Sequence, residues 1–232
     1  MRQHGVGMTV AAAAGVAAVT YGSYATAAWL KYGRHEPLDR TTLLDSYMPE
    51  PEIVERQEIE VHAPADVAYA ASRNLDLMHS PFIRLIFETR ACVMGSAQQE
   101  TELPRPLIEQ VKVLGWNILD ELPGREIVVG AAAKPWQADV GFRAIPAGSF
   151  ATFDDPGWAK IVFNFSVEPL DSDRTMVRTE TRVATTDDES RRRFRRYWAF
   201  VSPGIILIRF LGLKMVKIDA EKGVLAQRAV CG

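Results

Sequence analysis

Apolar and polar residues alternate along several stretches of the chain, which is the pattern of strands that bury one face. Short segments rich in Pro, Gly and Asp separate most of these stretches and are typical of turns. Connections this short favour antiparallel pairing over crossover helices. The pattern therefore predicts an antiparallel sheet built from the strands Ile53–Val61, Val111–Leu119, Glu126–Ala132, Ala138–Ile145, Ala159–Pro169 and Thr175–Thr185.

Two short stretches between the first and second predicted strands have helical spacing instead. Pro64 precedes apolar residues at 67, 70 and 71, and proline suits a helix start because it needs no amide partner there. Ser80-Pro81 predicts a second helix, with Ser80 as the N-cap and Pro81 in the first turn.

The C-terminal part of the chain predicts one long helix. Thr186 and Glu189 have the spacing of a capping box, which places the N-cap at Thr186. Pro203-Gly204 is expected to kink or interrupt the helix. A sheet and a helix that each carry one apolar surface must bury those surfaces against each other. The apolar stripe of this helix consists of Trp198, Val201, Ile205, Ile208, Met215 and Ile218.

The chain begins with a long uncharged segment. No residue from Gly5 to Leu30 is charged, and about 20 apolar residues are enough for a helix to cross a bilayer. Tyr21, Tyr24 and Trp29 lie toward its C-terminal end, where aromatic residues of membrane helices meet the interface. We therefore predict a retained membrane anchor over residues 1–31 and a linker over residues 32–51.

Two other interpretations of this segment stay open. The segment can be a secretory signal cleaved after Ala25-Thr26-Ala27, or a soluble helix packed on the domain. For a retained anchor, Lys31, Arg34 and Arg40 follow the span whereas only Arg2 precedes it. Positive residues stay on the cytoplasmic side, so we predict a cytoplasmic domain behind a single N-terminal span. Signal cleavage would export the domain instead.

The charge is unevenly distributed, although the net charge is only −2. From Ser190 onward there are ten Lys or Arg and two acidic residues, which leaves 17 of the 27 basic and 27 of the 29 acidic residues before that point. The basic run either balances the acidic body as a solvated face or contacts an anionic membrane surface. No nucleic-acid motif accompanies it. Its arginines are Arg191, Arg192, Arg193, Arg195 and Arg196.

The chain lacks the spacings typical of metal or covalent chemistry. None of its four histidines pairs with another His or Cys at ligand spacing, and there is no phosphate loop or nucleophile elbow. We therefore predict no metal and no cofactor. A polar catalytic dyad has as candidates Arg143, Asn164, Arg178 and Glu180. Strand alternation points all four away from the predicted core, where Arg178, Glu180 and Arg182 would form a surface charge ladder.

The order of elements and several short segments resemble the START/Bet v 1-like superfamily, also called SRPBCC, and within it polyketide cyclase/dehydrase and lipid-transport members. The matching segments are Glu58–Val67, Leu122–Ile127, Asn164–Leu170 and Asp173–Val183. The resemblance implies an α+β helix-grip fold, in which a curved antiparallel β-sheet surrounds a long C-terminal helix. It makes residues 52–232 one ligand-binding domain, here preceded by a transmembrane-like helix that is outside the usual family core.

The resemblance also implies an apolar cavity between the sheet and the long helix, where small ligands bind. The alternative is that the inward residues simply fill a core. Strand alternation and the helical stripe supply the candidates for the lining: Trp116, Ile118, Val140, Phe142, Phe163, Phe165, Val177, Thr179, Thr181, Trp198, Val201, Ile205 and Ile208.

Together these features predict a membrane-anchored, non-enzymatic protein that binds a hydrophobic small molecule or lipid. One alternative is a cyclase/dehydratase-type enzyme acting on a membrane-soluble substrate, and another is a protein-interaction module with a filled core. A dry cavity without buried polar groups favours the binding protein. An inward Arg–Glu or Asn pair favours the enzyme, and the lack of a cavity favours the module.

Overall fold

The structure is a computed structural model that describes residues 19–34, 42–96 and 104–231. An antiparallel sheet forms its centre, with the strands β1 (Ile53–Val61), β2 (Asn117–Leu122), β3 (Glu126–Ala133), β4 (Phe142–Arg143), β5 (Ala159–Pro169) and β6 (Thr175–Thr185). The hydrogen-bonded neighbours in this six-stranded sheet follow the order β1-β6-β5-β3-β2. The short strand β4 pairs with the last two residues of β3, Ala132 and Ala133. Strands β5 and β6 pair along their whole length, from Ala159 opposite Thr185 to Pro169 opposite Thr175.

A long C-terminal helix packs on one face of this sheet, which we call the inner face. It contacts β1, β6 and a short helix of the β1–β2 connection. The predicted α+β fold is therefore confirmed as an antiparallel sheet gripping a long helix. The helices are α1 (19–31), α2 (Leu44–Tyr47), α3 (Ala65–Arg73), α4 (Pro81–Met94), α5 (Leu107–Val113), α6 (Ala147–Phe150) and α7 (Asp188–Cys231), with a 3-10 turn at Leu77–His79.

Four predicted strands match β1, β3, β5 and β6 to within one residue. The prediction for Val111–Leu119 is wrong in its first half, because Leu107–Val113 forms helix α5 and β2 begins at Asn117. Short apolar runs do not distinguish a buried helix from a strand. The prediction for Ala138–Ile145 is also wrong in extent. Strand β4 consists of only Phe142 and Arg143. The chain then leaves the sheet, with Ile145 buried beyond the strand and Pro146 as the N-cap of α6.

The predicted cap of α4 is confirmed, whereas that of α7 is off by one residue. Ser80 Oγ accepts a hydrogen bond from the Ile83 amide. In α7, Asp187 rather than Thr186 accepts the Ser190 amide, at 2.8 Å. The hydroxyl of Thr186 is engaged with the backbone of Trp158 instead. Hydrogen bonds from Ser190 and Gly157 hold the pKa of Asp187 below its usual range.

Helix α7 runs through Pro203 without interruption. A proline removes one backbone hydrogen bond, but packing on both sides of Pro203 holds the helix to the sheet. Toward the N-terminal end Phe194 and Trp198 stack, with ring centroids 5.9 Å apart, in a cluster around Ile53, Ala159 and Val183. Toward the other end a second cluster includes Phe165, Val177, Leu213, Val216 and Ala220.

The outer face of the sheet is covered as well. The segment predicted as a linker contributes Leu44 and Met48, which are both buried there. Phe150 of α6 packs beside them on Val128 and Val162. We call residues 42–51 the strap. They cross the outer face and pack on it through Leu44 and Met48, whereas a linker would not be packed on the domain.

The strap covers a buried ionic cluster. Nη1 of Arg182, a fully buried residue, donates to Asp45 at 2.8 Å and to the carbonyl of Met48 at 2.9 Å. Its Nε donates to Glu180 at 2.6 Å. Alternation correctly points Arg182 and Glu180 outward, but the predicted surface ladder is wrong for both, since the strap buries them. Arg178 is exposed as predicted and pairs with Glu58 and Glu168.

Replacing Arg182 with methionine should lower the free energy of unfolding by about 3 kcal/mol, because the buried carboxylate of Glu180 loses a partner. Arg178→Met on the same strand is the matched control and should cost less than about 1 kcal/mol, as for exposed pairs. Chemical denaturation of both variants measures the difference. Equal losses would show that the cluster beneath the strap contributes no more than a surface pair.

Candidate functional site

Between its two apolar clusters, α7 leaves the inner face of the sheet only partly covered. Phe163 and Thr181 lie opposite each other on β5 and β6, and both keep part of their surface exposed. On the helix side Ile205 and Ile208 are also partly exposed. This partial exposure is compatible with a shallow groove between α7 and the sheet. We call it the central groove.

The predicted lining residues divide into three groups. Phe165, Val177, Thr179 and Trp198 are buried. Val140 lies in the loop before β4, outside the sheet. The remaining eight keep part of their surface exposed: Trp116, Ile118, Phe142, Phe163, Thr181, Val201, Ile205 and Ile208.

A row of aromatic side chains forms one wall of this groove. The ring of Trp116 lies 5.3 Å from that of Phe142 and 5.4 Å from that of Phe163. Phe163 in turn meets Phe165 edge to face at 6.1 Å. Such tilted contacts are the favoured geometry of aromatic pairs, and the row presents a continuous apolar surface.

Polar groups tie α7 to the sheet in the middle of the groove. Nη2 of Arg209 donates to the carbonyl oxygens of Glu55, at 3.0 Å, and Thr179, at 2.8 Å. Gln57, which lies opposite Thr179 in the β1–β6 ladder, donates through Nε2 to the carbonyl of Ile206 at 3.0 Å. We call Glu55, Gln57, Thr179 and Arg209 the polar seam.

Two buried atoms of the polar seam have no hydrogen-bond partner among the described residues: Arg209 Nε and Gln57 Oε1. Buried polar atoms in native proteins are almost always hydrogen-bonded, and leaving one unpaired costs about 1–3 kcal/mol. One atom is a donor and the other an acceptor. Both atoms lie between α7 and the sheet, closed to solvent.

The polar seam also brings two groups of opposite charge near each other on the inner face. Burial lowers the pKa of Arg209 to about 10, against the opposing effect of the Glu55 and Glu180 carboxylates. Burial raises the pKa of Glu55, and the charge of Arg209 opposes that rise. The seam therefore holds a cation and a carboxyl group that binds a proton more readily than it would in water.

Arg209 and Glu55 are not among the polar candidates predicted from the sequence, which are Arg143, Asn164, Arg178 and Glu180. None of those four belongs to the polar seam. A signal for the pair is present in hindsight. Arg209 follows Ile205 and Ile208 on the apolar stripe, and Glu55 has the same strand parity as the inward Ile53.

The five arginines predicted to meet a membrane surface have different environments. Arg191 pairs with Glu52 and Asp188, and Arg193 pairs with Glu189. Arg195 donates to the carbonyl of Trp29 and lies 4.2 Å from the centre of its ring. Only Arg192 and Arg196 are exposed without an ion pair in the described part of the chain.

The described end of the predicted anchor, α1, packs beside α7. The hydroxyl of Tyr21 donates to the carbonyl of Phe200, and Tyr24 bonds Ser202 at 3.1 Å. Ala25 is buried in this contact. The earlier part of the predicted anchor, residues 1–18, lies outside the described residues.

Among the described residues one helix is long and apolar enough to span a membrane, the part of α7 from Asp188 to Ala226, with a mean hydropathy of 1.7 over its most apolar stretch. The core helix of a soluble protein meets the same criterion. Because Arg209 and two apolar clusters fix α7 to the sheet, we treat it as the grip helix. Only 28% of that stretch is buried, so much of its apolar surface faces outward.

The two best-defined hollows of the described structure lie elsewhere. One, of about 550 Å³, opens beside His62, Asp171 and Arg174, and the other, of about 220 Å³, opens beside Trp136 and Asp187. Neither is lined by the predicted cavity residues. Within the described ranges no group of three His, Cys, Asp or Glu side chains is placed to hold a metal ion.

Comparison with known proteins adds little to this picture. No family model and no curated protein matches the chain. A hypothetical protein from Helicobacter pylori aligns over 80% of this chain and 99% of its own, with 8% identity and a TM-score of 0.40. Norcoclaurine synthase from Thalictrum flavum, in complex with dopamine and hydroxybenzaldehyde, aligns over 83% and 97%, with 13% identity and a TM-score of 0.33.

An aromatase/cyclase from Streptomyces sp. R1128 aligns over 74% of this chain and 95% of its own, with 15% identity and a TM-score of 0.27. Similarities this distant carry no argument about function. The strand order and the gripped C-terminal helix of the chain itself define a helix-grip fold, and the function has to be argued from the groove.

Replacing Arg209 with methionine should raise the pKa of Glu55 further, since the opposing cation is lost. A carboxyl whose folded pKa exceeds its unfolded value of 4.5 stabilises the fold less as the pH rises between those two values. As the pH rises from 4.5 to the folded pKa of Glu55, the free energy of unfolding should therefore fall more in the variant than in the unmodified chain. The fall should also continue to a higher pH in the variant. Measuring the free energy of unfolding against pH tests this.

The control for this measurement is the double variant Arg209→Met with Glu55→Gln, in which the additional pH dependence should vanish. If the pH dependence of the single variant matched that of the unmodified chain, Glu55 would not be coupled to Arg209.

Proposed function

We propose that the chain is a membrane-held binding protein for a hydrophobic small molecule or lipid, which lies in the central groove. One observation carries this proposal: inward apolar side chains remain partly exposed around the unpaired atoms of the polar seam. A protein that only needed a core would close these surfaces, because burying apolar area stabilises by about 25 cal/mol per Å².

The chemistry of the groove describes its ligand. The row from Phe142 through Trp116 and Phe163 offers apolar contact along one wall. Arg209 Nε offers one donor and Gln57 Oε1 one acceptor in the middle. A ligand with a long apolar body and one polar group matches both features. Small-molecule sites commonly combine an apolar lining with a few placed polar groups.

The membrane part of the proposal rests on the uncharged segment from Gly5 to Leu30. Its described end, α1, packs directly on α7, the helix that covers the groove. An anchor attached there would keep the groove beside the bilayer, where apolar ligands are dissolved. The charges around the segment favour a cytoplasmic domain, and a cleaved signal with an exported domain is the alternative.

A second candidate function is a cyclase/dehydratase-type enzyme acting on a membrane-soluble substrate. The observation in its favour is that the Glu55 carboxyl and the Arg209 guanidinium lie near each other on the inner face, and that burial raises the pKa of Glu55. A positioned carboxyl can transfer a proton, and a guanidinium can stabilise negative charge that develops on a carbonyl oxygen. The partly open groove argues against a third candidate, the interaction module with a filled core.

Filling the groove should abolish ligand binding. Thr181 points into the groove from β6 and is partly exposed, so Thr181→Trp places an indole where the ligand would lie. We expect at least a tenfold weaker binding of Nile red by fluorescence titration, because an occupied groove excludes the dye. Native mass spectrometry of the same protein should show loss of any co-purified lipid.

Met176→Trp is the matched control, since Met176 lies on the outer face of the same strand and is also partly exposed. It should leave Nile red binding unchanged. A chain that purifies without ligand and binds neither Nile red nor any lipid of a panel would overturn the binding proposal.

The variant Glu55→Gln separates the binding protein from the enzyme. It removes the proton-exchanging group while keeping the shape of the side chain. A binding protein should co-purify with the same ligand mass as the unmodified chain, whereas an enzyme should accumulate its unconverted substrate and show a different mass. Native mass spectrometry of both proteins from the same host decides between the two functions.

A further inference from the structure

Several large apolar side chains on α4 and α7 are exposed. Five of them lie within six positions of Ile86 or Gly204, where the two helices meet, and are 46–67% exposed. We call these five the α4–α7 face: Phe82, Leu85, Phe200, Leu207 and Phe210. Single exposed apolar residues are ordinary on protein surfaces, but several together mark an interaction site. The exposed stretch of α7 is also the part that is apolar enough to span a membrane.

The two helices meet, so these residues form one surface. The side chain of Ile86 on α4 passes 3.2 Å from the position that a Cβ on Gly204 would take. Gly204 lies on α7 between Phe200 and Leu207, and Ile86 directly follows Leu85 on α4. A side chain at 204 would require Ile86 to shift by a few tenths of an ångström. The close crossing therefore brings the exposed residues of both helices side by side.

The position of α1 points to a lipid bilayer as the partner of this face. Tyr21 and Tyr24 of α1 bond Phe200 and Ser202, at the edge of the face. The chain preceding α1 continues uncharged back to Gly5, so the segment proposed as the anchor would enter the membrane right beside the face.

Exposed cations on α7 border this face. Lys214 follows Phe210 by one turn and places its ammonium group 4.3 Å from the centre of that ring. Arg192 and Arg196 lie on the same helix, exposed and without an ion pair among the described residues. Cations that border an apolar surface reach anionic headgroups while their aliphatic parts stay in the apolar layer.

We propose that the α4–α7 face lies in the boundary between headgroups and acyl chains of an anionic membrane. This inference rests on the membrane-held part of the proposed function. It also places the groove beside the membrane, because Ile205 and Ile208 belong to the same stretch of α7 as Leu207.

Cys92 provides the label for the test. It lies on α4 seven residues after Leu85, hence on the same side of the helix, and is exposed. The full chain with Cys231→Ser is labelled with bimane at Cys92 and reconstituted in vesicles of phosphatidylcholine and phosphatidylglycerol. We expect doxyl-labelled lipid to quench the bimane fluorescence by roughly half, as for groups at the acyl boundary.

The matched control places the bimane on a similarly exposed apolar position at the turn between β2 and β3. Leu122 is 45% exposed, almost the same as Leu207. In the variant Leu122→Cys with Cys92→Ser and Cys231→Ser, lipid quenching should be absent. Quenching of equal strength at both positions would show unspecific adsorption and overturn the proposed orientation.

Two substitution pairs test the face itself with the label at Cys92. Leu207→Glu with Phe210→Glu should remove the lipid quenching, whereas Leu122→Glu with Leu170→Glu, at equally exposed sites, should leave it. All four residues lie at the surface, where substitutions change stability by about 0.5 kcal/mol or less. Persistent quenching in the first pair would overturn the proposal.

The remaining outcomes separate this inference from the proposed function. If the chain co-sediments with the vesicles but Cys92 is not quenched, the chain is held by its anchor alone and the α4–α7 face does not dock. If the chain does not co-sediment, the membrane-held part of the proposed function also fails. If Cys92 is shielded without lipid in a particle of twice the chain mass, the face binds a second copy instead.

Discussion

The position of α7 on the inner face of the sheet is the constraint on which the rest of the structure depends. Apolar clusters hold the helix at both ends, and Arg209 holds its middle by donating to carbonyl groups of β1 and β6. The middle contact is polar, so it does not demand a close-packed apolar interface. A helix held in this way can leave the surfaces between its clamped ends partly open, and this opening is the central groove.

The outer face of the sheet explains how an open inner face is compatible with a stable fold. The strap and α6 cover an apolar cluster there, and the buried Arg182 links the strap to β6 through Asp45 and Glu180. Buried ion pairs contribute specificity of arrangement more readily than net stability. The sheet therefore has a tightly packed layer on one side and can give up part of its packing on the other, where a ligand would supply the missing contacts.

The polar seam and the outward surface of α7 are two sides of the same helix, and they connect the proposed ligand with the proposed membrane. Arg209 faces the sheet, whereas Leu207 and Phe210 face away from it. A helix of this length presents both surfaces because side chains three and four positions apart share one face. The apolar outward surface of α7 suits the proposed placement of the domain on a bilayer.

The sequence by itself determined the α+β class, four strands nearly to the residue and the long C-terminal helix, because alternation and helical spacing are local consequences of burying one face. It could not place α5, since a short apolar run fits a helix and a strand equally well. Only the tertiary structure decided that Arg182 and Glu180 are buried, because the strap that covers them joins the sheet from a distant part of the chain. The same holds for Glu55 and Arg209, which are 154 positions apart. Their meeting depends on how α7 crosses the sheet, and no local pattern encodes that crossing.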